Sequence, residues 1–104
     1  MAERLVDGLA PLGDVTIRKM FGGHGVFADG DMFALVDSAG NPFLRADEMT
    51  SGRFEAAGSA RHGGMPYWSI PPAVLDNDDD LVAWARIALG VARAAKKGKH
   101  RKRG

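Results

Sequence analysis

His24 and His62, a scatter of arginines and a run of glycines are the places where this sequence could do chemistry. His24 sits in Gly22-Gly23-His24-Gly25. Glycine-rich stretches can cradle phosphate with backbone N–H groups. Here the detail argues against it. There is no GxGxxG and no GxxxxGK[ST], and the glycines separate two strand-like segments instead of opening a helix. They read as a turn or bulge that uses glycine's tolerance of positive φ, with a partner-binding loop as the other reading. Neither histidine belongs to a local zinc pattern such as HExxH. Asp29 or Asp31 could approach His24 across a hairpin, but no activated nucleophile accompanies them, and both are expected at the turn surface. Ser38, Ser51, Ser59 and Ser69 lack a nucleophile elbow. No catalytic residue, metal site or cofactor is expected, and the sequence reads as a non-enzyme.

Binding is the better prospect. Met65-Pro66-Tyr67-Trp68 places two aromatics on opposite faces of a short strand, so one is expected in the core and the other is free to anchor a partner. Arg18, Lys19, His24, Arg45, Tyr67 and Trp68 are the candidate partner contacts. Residues 96–104 add Lys96, Lys97, Lys99, Arg101, Lys102 and Arg103 without an acid, whereas residues 1–95 hold eight basic and thirteen acidic side chains. The chain is an acidic body with a basic tail. Such a tail can attract nucleic-acid phosphates without reading bases, or it can simply solvate the terminus. No helix-turn-helix, zinc-finger or RNA-binding aromatic signature accompanies it. Asp76, Asp78, Asp79 and Asp80 lack the twelve-residue calcium-loop pattern, and helix capping accounts for them.

The elements that must position these residues can be outlined from periodicity. At 104 residues the chain fits one domain, taken as 1–95, with 96–104 as a basic disordered tail. Absence of cysteine excludes disulfides and thiolate metal sites. No apolar run is long enough for a membrane span, and a cytoplasmic location is expected. Residues 2–10 read as a helix ended by Pro11 and Gly13. Strands follow over 14–21, 24–29, 31–36 and 42–46, with Asp29-Gly30 a hairpin signal. Met32–Val36 is apolar at every position, which predicts a central strand covered on both faces. A helix is expected over 47–58, with Phe54 and Ala57 inward, and a further strand over 66–70. A short helical turn should begin at Pro72, and a long helix should run from Asp78 to Ala95. The fold class is α+β: two layers, with an antiparallel sheet of five or six strands and helices mainly on one face.

These stretches also carry a resemblance. Arg18-Lys19-Met20-Phe21-Gly22-Gly23-His24-Gly25-Val26-Phe27 and Asp29-Gly30-Asp31-Met32-Phe33-Ala34-Leu35-Val36 resemble the N-terminal domain of the TfoX/Sxy family. Phe43-Leu44-Arg45-Ala46-Asp47, Met65–Pro71 and Leu81–Ala88 continue the likeness in order, over about residues 5–95. His24 stands where Tyr is common, and Pro66 where Ser is common. The resemblance implies a secretion-chaperone-like layout and no catalytic residues. It also implies a role in regulating natural competence, alongside a cyclic-AMP-responsive activator. Full-length members carry a second, helical domain, and this sequence reads as a stand-alone first domain.

The leading expectation is thus a transcription- or competence-related adaptor with a protein partner and weak nonspecific DNA contact through its tail. One rival is a chaperone-like homodimer with no nucleic-acid role. The other is a small-ligand binder or enzyme using the surroundings of His24, Arg45 and Tyr67, for which a pocket lined by these residues would be the sign.

Overall fold

Asp29 and Gly30 turn the chain in the left-handed region, at φ 51° and 84°, as the hairpin signal requires. The strands on either side, Gly23–Ala28 (β2) and Asp31–Val36 (β3), are the centre of the fold. The computed structural model describes residues 1–20 and 22–101, with side chains through Lys96. Val15–Met20 forms β1, Pro42–Arg45 β4 and Tyr67–Ser69 β5. Among the described residues the sheet has five strands in the order β1-β2-β3-β4-β5, every pair antiparallel. Where a sixth strand could lie there is a single bridge from Arg61 to Trp68.

The consecutive apolar residues of β3 have a specific cause. Val26 pairs with Ala34 and Phe27 with Met32, so Phe33 has no partner in the ladder. This bulge shifts the alternation by one residue. Phe33, Ala34 and Val36 all enter the main core, while Met32 and Leu35 pack together on the other face.

Among the described residues four helices join the sheet: α1 (Ala2–Gly8), α2 (Ser51–Ala56), α3 (Pro72–Leu75) and α4 (Asp78–Arg101). The core they close contains Leu5 and Leu9, then Val26, Phe33, Ala34 and Leu44 of the sheet, and Leu81, Ala85, Ala88, Leu89 and Ala92 of α4. The helices therefore cover one face. The alanines of α4 let its backbone approach the sheet closely. Leu89 joins this face, and Ala95 is exposed. Among the described residues no helix is long and apolar enough to cross a membrane.

Several boundaries differ from expectation. The first helix ends at Gly8, and a 3₁₀ turn over Ala10–Leu12 carries the chain through Pro11 to Gly13. The helix expected from residue 47 begins at Ser51. Asp47 Oδ1 accepts the N–H groups of Met49 and Thr50, and Thr50 Oγ1 accepts that of Asp47. That local turn competes with helix. Phe54 is buried as anticipated, while Ala57 is exposed. The last helix continues past Ala95 to Arg101, since alanine, lysine and arginine all favour helix. The division at residue 95 therefore falls inside α4. The side chains of Lys97, Lys99 and Arg101, and all of Lys102 and Arg103, lie outside the described residues.

At the start of α4, Asn77 Oδ1 accepts the N–H of Asp80 at 3.0 Å. Asparagine thus supplies the cap. Asp78 pairs with Arg4 of α1 at 2.8 Å, and Arg4 also donates to the Leu75 carbonyl at 2.7 Å. This arginine ties α1 to the junction of α3 and α4. At the far end, Arg93 reaches Asp29 at 3.2 Å and Asp31 at 3.3 Å. The hairpin aspartates thus serve α4, not His24.

Candidate functional site

Strand alternation divides the candidate contacts between the two faces of the sheet. Thr16 and Arg18 of β1, Gly25 and Phe27 of β2, Leu35, Phe43, Arg45 and Tyr67 share the face without helices. Lys19 and His24 are paired with each other and belong to the opposite set with Val26 and Ala28. Trp68 also faces the helices. It stacks on Phe54 at 6.5 Å, and Phe54 meets Trp84 edge-on at 5.0 Å. The structure therefore brings together Arg18, Arg45 and Tyr67 and sets Lys19 and Trp68 apart from them.

The helix-free face is built around a second apolar cluster of Leu35, Phe43 and Tyr67, with Met32 against it. Tyr67 is buried. Its ring is part of the floor of this face and does not project as an anchor. The arginines lie over aromatics. The Arg18 guanidinium is 5.0 Å from the centroid of Phe27, and that of Arg45 is 5.8 Å from the centroid of Tyr67. Such contacts keep a cation over an apolar surface without a carboxylate.

Gly25 leaves the middle of the face open. A Cβ there would lie 2.8 Å from Met20 Sδ, 3.0 Å from Phe27 Cε1 and 3.3 Å from Met32 Cε. Flexible side chains thus lean into the space that glycine vacates. At Gly23 the neighbour is backbone, and a Cβ would collide with the Val36 carbonyl oxygen. These two glycines sit within β2, while the positive φ of the run belongs to Gly22, at 78°.

The segment before β5 rims the face. The His62 N–H donates to the Tyr67 carbonyl at 2.8 Å, and the His62 ring meets Phe43 edge-on at 4.7 Å. Beyond it lies Asp37, in the turn between β3 and β4. Hydrogen bonding by the Asn41 N–H, at 2.8 Å, holds the Asp37 carboxyl below its ordinary value, helped by the Asn41 amide, the Ala39 N–H and nearby His62.

A groove of about 540 Å³ runs over this end of the face. Arg45 and Tyr67 line it, with Met20, Met32 and Leu35 along its length and His62 and Met65 at its rim; His24, the third residue tied to a ligand reading, borders it although strand alternation assigns its side chain to the opposite face. Sequence reasoning weighed His62 only as a metal ligand and did not assign it, Phe43 or the methionines to this face. The uninterrupted apolar run of β3 was the available signal for Leu35. A second groove, of about 520 Å³, lies beside α4 and is lined by Arg45 and Arg61 together with Asp47 and Glu48. Its opposed charges favour no ligand sign.

Among the described residues no group of three or more histidine, cysteine, aspartate or glutamate side chains converges as a metal site would require. No curated protein matches the chain. A model of the TfoX N-terminal domain does, over residues 7–92, and the chain belongs to that family.

Proposed function

We propose that the chain is a regulatory adaptor that binds a protein partner, a transcription regulator, through the helix-free face of its sheet. The family is a non-catalytic regulatory domain associated with competence, which gives the general role. The observation that carries the finer reading is the pairing of Arg18 with Phe27 at one end of a sheet face that no described helix covers. Arginine and aromatic side chains are the types that most often dominate binding energy at protein interfaces. Both are accessible, Arg18 exposed and Phe27 half-buried.

The basic residues after Lys96, which itself pairs with Asp31, add weak, sequence-independent attraction to nucleic acid in this reading. As far as Arg101 they continue α4 beyond its packed turns, and a cationic segment can attract phosphates beside a DNA-bound partner.

Titration of a cyclic-AMP-responsive activator, the partner class implied by the sequence resemblance, tests the adaptor reading. Phe27→Ala and Arg18→Glu are each expected to weaken binding by about 2 kcal/mol, as truncation of an interface anchor does. Folded variants that bind as well as the parent chain would remove this face from consideration.

A homodimer in a secretion-chaperone-like layout is the second reading. Its supporting observation is the apolar cluster of Leu35, Phe43 and Tyr67, with Met32 against it, on the face that no described helix covers. Sedimentation at micromolar concentration separates the two readings, because an obligate dimer would show no monomer there.

A further inference from the structure

We propose that the groove over β3, β4 and β5 is a binding site for an amphipathic monocarboxylate: a small molecule with an apolar body and one carboxylate. This site needs no macromolecular partner, and the adaptor reading uses Arg18 and Phe27, which do not line the groove.

The volume, about 540 Å³, falls within the range typical of small-molecule sites. Its floor is apolar. Leu35 and Tyr67 are buried there, Met20 and Met32 are half-buried, and Met65 is exposed at the rim. Methionine adapts its shape to whatever lies against it, which suits an apolar body of variable form.

Two polar atoms in the lining residues lack a hydrogen-bond partner among the described residues. They are Arg45 Nε and His62 Nδ1, and both are buried. Buried polar groups are ordinarily satisfied, and exceptions call for an explanation. The two residues flank one strand. Arg45 pairs with Tyr67 in the ladder, and the His62 N–H donates to the Tyr67 carbonyl.

Charge sets the sign of the ligand. Among the described residues Arg45 makes no ion pair; its guanidinium rests on the Tyr67 ring. Asp37, the acidic residue lining the groove, is occupied by its own turn, accepting from Ala39 and from Asn41. Arg45 is the cation left without a carboxylate, while Asp37 is engaged by its turn, so one carboxylate matches the site, with the His62 imidazole at the rim. A phosphate dianion would call for more fixed positive charge or a helix N-terminus, and the lining supplies neither.

The test is a titration of the isotope-labelled full chain with octanoate, followed by NMR, alongside octanol and acetate as probes of tail and head alone. Octanoate is expected to shift Leu35, Tyr67 and Met65 saturably, with a dissociation constant of roughly millimolar or tighter. Arg45→Gln should weaken it by about tenfold or more, as expected when one charge-assisted hydrogen bond is removed. Met65→Asp, at an exposed rim position, should also weaken it and leaves the fold intact if Arg45→Gln does not. Saturable binding of octanol equal to that of octanoate would overturn the carboxylate assignment. So would an affinity unchanged in both variants, or no saturable shift at millimolar octanoate.

Discussion

Lys96 Nζ lies 3.4 Å from Asp31 Oδ1, tying the last turn of α4 with described side chains to the β2–β3 hairpin. The Asp31 side chain is only 15% exposed, so this pair is less screened than an open surface ion pair. Arg93 shares the same carboxylate. Lys96 is therefore committed to the domain body in a way its position in a basic run does not suggest.

Nucleic-acid binding should reflect that commitment. Replacing Lys97, Lys99, Arg101, Lys102 and Arg103 with glutamine is expected to abolish salt-sensitive binding to a mixed-sequence duplex, measured by fluorescence anisotropy. Lys96→Gln alone should change it little. For every phosphate no longer neutralised, the plot of log affinity against log salt should flatten by about 0.9. Equal effects of the two variants would contradict a separate role for Lys96.

Two glycines should respond oppositely to alanine. In Gly23→Ala the new methyl would collide with the Val36 carbonyl oxygen, which belongs to a paired strand and cannot swing aside. A destabilisation of about 1–3 kcal/mol or more is expected. Gly90 lies exposed within α4, and a methyl group added there would have no neighbour within 4 Å. Gly90→Ala should therefore stabilise by up to about 1 kcal/mol. Urea denaturation of both variants checks the pair.

Acid should loosen the β3–β4 turn. The Asp37 carboxyl titrates below its ordinary value of 3.8 when folded, chiefly because the Asn41 N–H donates to it. A depressed folded value means the carboxylate stabilises the fold above 3.8 and that this contribution is lost as pH falls through the lower folded value. Asp37→Asn should therefore have a lower melting temperature than the parent near neutral pH, with the gap narrowing in acid. A constant difference across the acid range would show that the turn does not depend on this charge.

Charge on the outer edge of β1 should keep that edge from pairing. Arg18 and Lys19 place two like charges along it, a device that discourages edge-to-edge association. Arg18→Val with Lys19→Thr is expected to produce concentration-dependent association in sedimentation experiments. A strictly monomeric variant would mean that other features protect the edge.

Much of the architecture was legible because local signals and tertiary packing agreed. Asp29-Gly30 marked the hairpin, β3 spans the residues its apolar run indicated, and the long last helix begins at Asp78 as expected. The start of α2 was not legible, because the Asp47–Thr50 turn wins only when its side-chain hydrogen bonds are considered together. The candidate site was legible in part. Arg45 and Tyr67 are cross-strand neighbours, but which aromatic of Tyr67-Trp68 faced the helices depended on strand pairing that a short segment does not specify. His62 remained hidden because its place over Phe43 follows from the path of a glycine-containing loop, for which periodicity offers no guide.

The unpaired Phe33 acts on β3 as an insertion acts on a reading frame. Upstream of it the strand counts in one phase and downstream in the other, so Met32 and Leu35, three positions apart, look the same way. Deleting this one residue would restore regular alternation, because Met32 and Leu35 would then stand two positions apart and still look the same way. The groove floor would stay whole, and the loss would fall beneath the helices, where the buried Phe33 ring would be missing from the core.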